Sequence, residues 1–142
     1  MKAQPLRSNH QEGAGLVEFV VVAPLLVILL CGLLEFGLAL YTKEALTNAS
    51  REGARFGVVL SNPRKTATQI QNKVQEYLTK SGFADTAAIN VSGAGGASGS
   101  PLTVSVSYPY TLQVLPGFFA TFFDSTMTGS VTLRANTVMI ME

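Results

Sequence analysis

Residues 13–41 read GAGLVEFVVVAPLLVILLCGLLEFGLALY, and this stretch decides the fold of the first part of the chain. Between Leu16 and Tyr41 the only charged residues are Glu18 and Glu35, and the sequence has no Lys, Arg, Asn, Gln, Ser or Thr there. A bilayer hydrocarbon core of about 30 Å needs roughly 20 helical residues. We therefore predict a transmembrane helix over about residues 16–38.

The apolar side chains of this stretch outweigh the cost of its two carboxylates. The twelve Leu, Ile, Val and Phe residues of Phe19–Leu34 favour insertion by roughly 5 kcal/mol, at about 0.3–0.6 kcal/mol each. An ionised carboxylate costs about 2.5–3.5 kcal/mol at the membrane centre and less near its edges, where Glu18 and Glu35 fall. Pro24 is predicted to kink or loosen the helix. Cys31 is interpreted as a small packing residue.

Composition narrows the function classes. The chain has 142 residues, 47% hydrophobic and 13% charged, with ten basic and nine acidic side chains. Soluble domains carry about a quarter charged residues, so part of this chain avoids water, and the near-neutral charge does not favour nucleic-acid binding. One cysteine excludes an internal disulfide, and one histidine, His10, argues against a zinc site or a His-dependent triad. We predict no enzyme activity, metal, cofactor, nucleic acid or small-molecule substrate.

The flanks of the apolar run predict its orientation. Lys2 and Arg7 precede it, and Lys43 is the first basic residue after it, which favours a cytoplasmic N-terminus and a C-terminal domain outside a bacterial inner membrane. A cleavable secretion signal is disfavoured because the run is too long and no A-x-A site follows it. A lipoprotein signal would need a small residue before Cys31, where Leu30 stands.

Gly13, Ala14, Glu18 and Phe19 form the most informative motif: a glycine, four residues, a glutamate and then the apolar helix. This motif resembles the type IV prepilin signal, which implies that a prepilin peptidase cuts after Gly13 and removes residues 1–13. The new α-amino group of Ala14, or that of a neighbouring subunit, could then pair with Glu18 and set the register of a helix bundle. The alternative is that Glu18 only marks the membrane edge.

The helical pattern continues to Leu60, so Ala14–Leu60 would form a rod of about 70 Å. Small residues recur every fourth position and leave a groove that another helix or a sheet could enter; these are Ala45, Ala49, Gly53 and Gly57, flanked by Arg51, Glu52 and Arg55. Packing against the chain's own domain is the alternative for this groove. Glu35 is predicted to lie within about 20° of the Glu18 face, as either an interfacial or a packing residue.

The segment 13–60, with GAGLVEFVVVAPLL and LLEFGLALYTKEALTNASREGARFG, resembles the TadE-like family of the tight-adherence (Tad, or Flp) pilus system. The resemblance implies an inner-membrane pseudopilin or minor pilin that helps to build the pilus. It implies as partners the lipid bilayer, the prepilin peptidase, other pilins and pseudopilins, and inner-membrane Tad assembly proteins. The positions shared with the family are Gly13, Glu18, Phe19, Pro24, Glu35, Gly37, Ala45, Ala49, Arg51, Glu52, Gly53 and Arg55.

Residues 61–142 are predicted to form a small extracytoplasmic α+β domain with one helix on an antiparallel sheet of about three strands. The helix covers about residues 66–80 and Gly82 stops it. Strands are predicted at 88–92, 102–108 and 131–136, with a flexible Gly, Ala and Ser loop at 93–101 and with Pro109 either ending the second strand or placing it on an edge. The aromatic segment 112–123 is interpreted either as core or as a surface that meets the membrane or a neighbouring subunit.

Three functions remain open at the level of sequence. The first is a pseudopilin or minor pilin, with Glu18 as its register device. The second is a permanently anchored periplasmic binding module, which would gain nothing from cleavage after Gly13. The third is a filament-forming major pilin. Whether the chain enters the filament, whether it acts as TadE or TadF, and whether Ala14 is methylated are left open.

Overall fold

The computed structural model describes residues 10–83, 87–123 and 129–142. In chain order the elements are α1 (His10–Val58), α2 (Ala67–Lys80), β1 (Ala88–Ser92), β2 (Pro101–Thr111), α3 (Val114–Phe123) and β3 (Ser130–Ile140). The predicted α+β class is confirmed: a long N-terminal helix precedes a small domain with a helix and a three-stranded antiparallel sheet. The helix α3 is an addition that the sequence pattern did not predict.

The first half of α1 projects from the domain as an exposed apolar helix. α1 has 49 residues and continues through Pro24, so at 1.5 Å per residue it is about 70 Å long. It begins slightly before the predicted start at Ala14 and ends slightly before Leu60. The stretch Gly15–Val58 is long and apolar enough to cross a membrane, and none of its most apolar residues is buried in the domain.

The second half of α1 is the centre of the domain. It contacts α2, β2 and β3, and its buried positions recur at helical spacing. These positions are Thr42, Ala45, Leu46, Ala49, Ser50, Gly53, Ala54, Gly57 and Val58. One helix therefore combines a largely exposed apolar half with a half that its own domain surrounds.

β2 runs antiparallel to α1, which orients the domain. At the start of β2, Leu102 lies against Gly57 near the end of α1. At the other end of β2, the Tyr110 hydroxyl donates a hydrogen bond to Glu35, far back along α1. The connection from β2 to β3 therefore lies at the end of the domain nearest the exposed apolar half.

The sheet is a meander with the order β1-β2-β3, and both pairs are antiparallel. Along β2, the buried Leu102, Val104 and Val106 face the helices and alternate with half-exposed polar residues. This period of two is the pattern of a strand with one face on the core and one toward solvent. The predicted strands and their alternation are confirmed, and each of the two long strands extends beyond its predicted bounds.

Pro109 does not end β2, which continues to Thr111. β1 pairs with β2 only as far as Ser107, whereas β3 pairs along the whole strand and places Thr132 opposite Pro109. Among the described residues, β2 has no paired strand on the β1 side at this proline, and a missing N–H is tolerated at such an edge position. The prediction that Pro109 ends the strand is wrong, and its edge position is correct only locally.

α2 packs on α1 through one apolar stripe. Ile70, Val74 and Leu78 are fully buried at i, i+4 and i+8. Thr66 caps the helix: its hydroxyl accepts from the Gln69 N–H, and the Gln69 side chain accepts from the Thr66 N–H. After the helix, Gly82 has a φ of +85°, a conformation that glycine adopts at little cost, so the predicted stop is confirmed.

Candidate functional site: the exposed helix and the Glu35 junction

The residues of the predicted processing motif lie on α1. Gly13, Glu18 and Phe19 are exposed, and Ala14 lies on the same stretch of helix. Cleavage after Gly13, as the prepilin resemblance implies, would favour an extended backbone there, whereas this residue is helical. A glycine weakens a helix by about 1 kcal/mol relative to alanine, so it eases the local unwinding that a peptidase would require.

The predicted membrane segment presents its side chains outward. Phe19 is 69% exposed and Leu25 is 69% exposed, and Pro24 is also exposed on the uninterrupted helix. Isolated apolar side chains on a protein surface are ordinary, but a continuous apolar helix without a cover marks a surface for lipid or for other helices. The described part of this half therefore has an interaction surface and no core of its own.

Glu35 lies at the junction between the two halves of α1 and is buried, with 4% of its surface exposed. Its carboxylate accepts the Tyr110 hydroxyl at 2.6 Å from Oε1. It also accepts three backbone N–H groups, from Gln113, Val114 and Leu115, at 2.7–3.2 Å. A buried carboxylate with several donors is stabilised where an unpaired one would be costly. Within the chain, Glu35 therefore packs against Tyr110 and the start of α3.

These contacts make Glu35 the N-terminal cap of α3. The first four N–H groups of a helix lack partners within the helix. Glu35 accepts those of Val114 and Leu115 together with that of the preceding Gln113, and the next residue is Pro116, which has no N–H to satisfy. The negative carboxylate also lies at the positive end of the helix dipole. A side chain of α1 thus fixes the start of α3.

Tyr110 completes the junction from the end of β2. Only 5% of its surface is exposed. Burial and the hydrogen bond to Glu35 raise the pKa of Tyr110 to about 12, so the hydroxyl keeps its proton and remains a donor to the carboxylate. Sequence reasoning missed this pairing; the available signal was that Tyr110 continues the inward-facing alternation of β2.

The stripe of small residues in the second half of α1 contacts the chain's own domain. Ala45, Ala49, Gly53 and Gly57 are buried, and a β-carbon at Gly53 would lie 2.2 Å from Val74 Cγ2. The groove predicted for another helix or a sheet is thus filled by α2 and β2. Arg51 and Arg55 are exposed beside it, and Glu52 is half-exposed.

Two polar contacts lock β3 to the same half of α1. The hydroxyls of Ser50 and Thr137 are 2.7 Å apart, and Ser50 is fully buried. Nearer the junction, the Lys43 ammonium donates to the carbonyl of Arg134. Within the described residues, no three His, Cys, Asp or Glu side chains group together as metal ligands would. The organised polar chemistry of this region holds elements together.

Comparison with known proteins agrees with this geometry. The model of the TadE-like protein family matches residues 13–55, which span the exposed half of α1, the Glu35 junction and most of the small-residue stripe. The resemblance drawn from the sequence is therefore confirmed over that part of the chain, and it connects the protein with the Tad pilus system. No curated protein and no solved structure gives a significant match to the chain.

Proposed function

We propose that this protein is a TadE-like pseudopilin or minor pilin that acts in the assembly of a Tad-type pilus. In this proposal a prepilin peptidase removes residues 1–13, and the apolar half of α1 anchors the chain in the inner membrane. The N-terminus is then cytoplasmic and the domain is periplasmic. Its partners are the lipid bilayer, other pilins or pseudopilins, and the inner-membrane assembly proteins.

One observation carries the proposal: the apolar half of α1 is uncovered while the domain surrounds only the other half. An apolar helix without a cover is stable in lipid or among similar helices and unstable in water. A protein that moves from a membrane into a helical bundle needs a segment that suits both surroundings. The exposed half provides such a segment, and the buried half carries the domain with it.

In this proposal Glu18 determines toward which partner the helix moves and how far it is offset from that partner. It is exposed near the start of the apolar half, where an unpaired carboxylate is costly in lipid. Cleavage after Gly13 would place an α-amino group on Ala14, and Glu18 would become the fifth residue of the mature chain. An amine from a neighbouring subunit can neutralise Glu18 and fix how far the two helices are offset.

The mass of the intact, membrane-extracted protein tests processing. With the cognate prepilin peptidase, the wild-type chain is expected to begin at Ala14, and without the peptidase it is expected to keep its leader. Gly13→Val is expected to block the cut, whereas Gly15→Val, the same change at another exposed glycine of the same helix, is expected to leave it intact. A wild-type chain that stays whole with the peptidase present would contradict the proposal and favour a permanently anchored binding module.

A second experiment separates assembly from processing. Glu18→Ala is expected to be cleaved normally and to abolish pilus formation, because the register-setting charge is gone. Glu44→Ala, an exposed glutamate of α1 beyond the apolar half, is the control and is expected to support normal pili. If the protein is instead the bulk component of sheared pili, it is a filament-forming major pilin.

A further inference from the structure

The position of α3 along α1 relates it to the membrane boundary. α3 and its loops connect β2 to β3, at the end of the sheet nearest the apolar half of α1. Its first turn is capped by Glu35, which lies within the predicted transmembrane segment near its outer end. α3 also contacts α1 directly. The element that follows β2 is therefore the part of the domain closest to the apolar half.

Several half-buried positions on α1 lie on the face of the helix that carries Glu35. In the apolar half most side chains are exposed, but Ile28, Cys31 and Gly32 are half-buried. These three residues precede Glu35 by seven, four and three positions, so they share its face of the helix. The half-buried face that contains Glu35 thus extends back into the last turns of the apolar half.

The composition of α3 suits lipid. Its ten residues, VLPGFFATFF, include no charged side chain and one hydroxyl, and that hydroxyl, on Thr121, donates to the Gly117 carbonyl. Phe118 and Phe119 are half-exposed and contact each other edge to face. A surface of this kind provides apolar area without the polar groups that a specific protein contact would use.

We propose that α3 lies in the lipid–water interface of the membrane that α1 spans, so that the domain rests on the bilayer through an aromatic helix. This inference rests on the proposed membrane anchoring. Its occupant is the bilayer because α3 begins against Glu35, near the outer end of the predicted transmembrane segment, where exposed apolar side chains of α1 lie on both sides of Glu35 along the helix. Those side chains are Leu33, Leu34, Phe36, Leu38, Leu40 and Tyr41.

Glu35 makes this position chemically acceptable. A carboxylate at the edge of the hydrocarbon is costly when it is unpaired, but here Tyr110 and three backbone groups surround it. The three backbone bonds also satisfy N–H groups at the start of α3, which would be costly in lipid without a partner. About 12 Å further along α1, Lys43 reaches the level of the headgroups, where a basic side chain is favoured.

The chain contains no tryptophan, so a single introduced tryptophan reports its own depth. Three full-length variants are reconstituted separately into vesicles of phosphatidylcholine and phosphatidylglycerol brominated on the upper acyl chain, which quenches nearby tryptophan. Phe118→Trp probes α3 and Leu25→Trp probes the exposed apolar half. Ile140→Trp is the matched control, because Ile140 is an equally apolar residue, 59% exposed, at the far end of β3.

Quenching of Phe118→Trp is expected to exceed that of Ile140→Trp by about twofold or more, at every protein-to-lipid ratio. If Leu25→Trp is quenched and Phe118→Trp is no more quenched than Ile140→Trp, the result supports membrane anchoring by α1. The same result overturns the interfacial position of α3. If Leu25→Trp is not quenched either, the proposed anchoring itself fails. Quenching of Phe118→Trp that changes with protein density would instead show a second copy of the chain on α3, which also overturns the inference.

A second tryptophan variant covers the case in which Phe118→Trp disturbs folding. Ala120 is exposed on α3, so Ala120→Trp should not disturb packing against α1. Each variant is compared with the wild type by its thermal unfolding curve in micelles. If Phe118→Trp unfolds early, Ala120→Trp decides the question with the same expected quenching and the same contradicting result.

Discussion

Glu18 and Glu35 are the two charges of one apolar helix, and their surroundings differ completely. Glu18 is exposed, whereas Glu35 is buried beneath Tyr110 and the first turn of α3. The glutamate near the start of the apolar segment can therefore meet a partner from another chain. The glutamate near its end is bonded within its own chain. A carboxylate in an apolar segment marks a contact, and the neighbouring elements decide whether that contact lies within the chain or between chains.

The two halves of α1 repeat this contrast in their apolar surface. In the described residues the first half has large side chains that are mostly exposed, and the second half has small ones that allow α2 and β2 to approach closely. Large exposed residues suit a surface that meets lipid or successive helices, because neither requires one fixed partner. Small buried residues suit a single permanent contact.

The largest expected effect comes from breaking the Glu35 junction. Glu35→Ala leaves the Tyr110 hydroxyl and three backbone N–H groups without their acceptor, and it is expected to destabilise the domain by roughly 3 kcal/mol. The measurement is denaturant unfolding of the full chain in detergent micelles. Glu35→Gln keeps the shape of the side chain and one acceptor oxygen, so it is expected to lower the free energy of unfolding less than Glu35→Ala does.

Glu18→Ala is the comparison for this variant. Because Glu18 is exposed, its loss is expected to leave the unfolding curve unchanged while it stops pilus assembly. If Glu35→Ala unfolds like the wild type, α3 does not depend on the carboxylate, and the contrast between the two glutamates is lost.

The next largest effect is expected from adding a methyl group at a glycine in each half of α1. A β-carbon at Gly53 would collide with the stiff Val74 side chain, so Gly53→Ala is expected to cost about 2 kcal/mol through overpacking. Gly37 has nothing within 4 Å of an added β-carbon, and Gly37→Ala is expected to leave the domain as stable as the wild type. Equal effects of the two changes in the same unfolding assay would show that the second half of α1 is not closely packed.

The parts of the fold that the sequence could predict are those that depend on local periodicity. The apolar run, the stripe of Ile70, Val74 and Leu78, and the alternation along β2 each follow from one element alone. The partner of the small-residue stripe could not be predicted, because Gly53 looks the same whether α2 or another chain fills the groove. The family match over residues 13–55 covers most of the stripe without deciding between these two partners.

The Glu35 site was beyond sequence reasoning for a similar reason. α3 contains Pro116 and Gly117, which normally argue against a helix, and it has no polar face to give a period. Its start depends on a carboxylate nearly eighty residues earlier in the chain. Only the tertiary arrangement shows that Pro116 stands in a first turn, where a missing N–H does no harm.

The smallest expected effect concerns a third glutamate, Glu76, which is paired like Glu35 but lies on the open face of α2. Hydrogen bonds from Lys80 and Lys73 hold its pKa below the ordinary value of 4.5. Because the folded state favours the ionised form, the pair stabilises the domain above that value, and this contribution is lost as the pH falls through the lowered pKa. Glu76→Gln is therefore expected to lower Tm slightly at neutral pH and low salt, and not at acidic pH.

Glu44→Gln is the control for this change, since Glu44 is exposed and has no ion pair among the described residues. Added salt is expected to remove the Glu76 difference as well, because exposed pairs are screened. A Tm difference for Glu76→Gln that survives both acid and salt would mean that the side chain acts through packing. In that case burial would not explain why one carboxylate, such as Glu35, organises the fold while another on the surface contributes little to it.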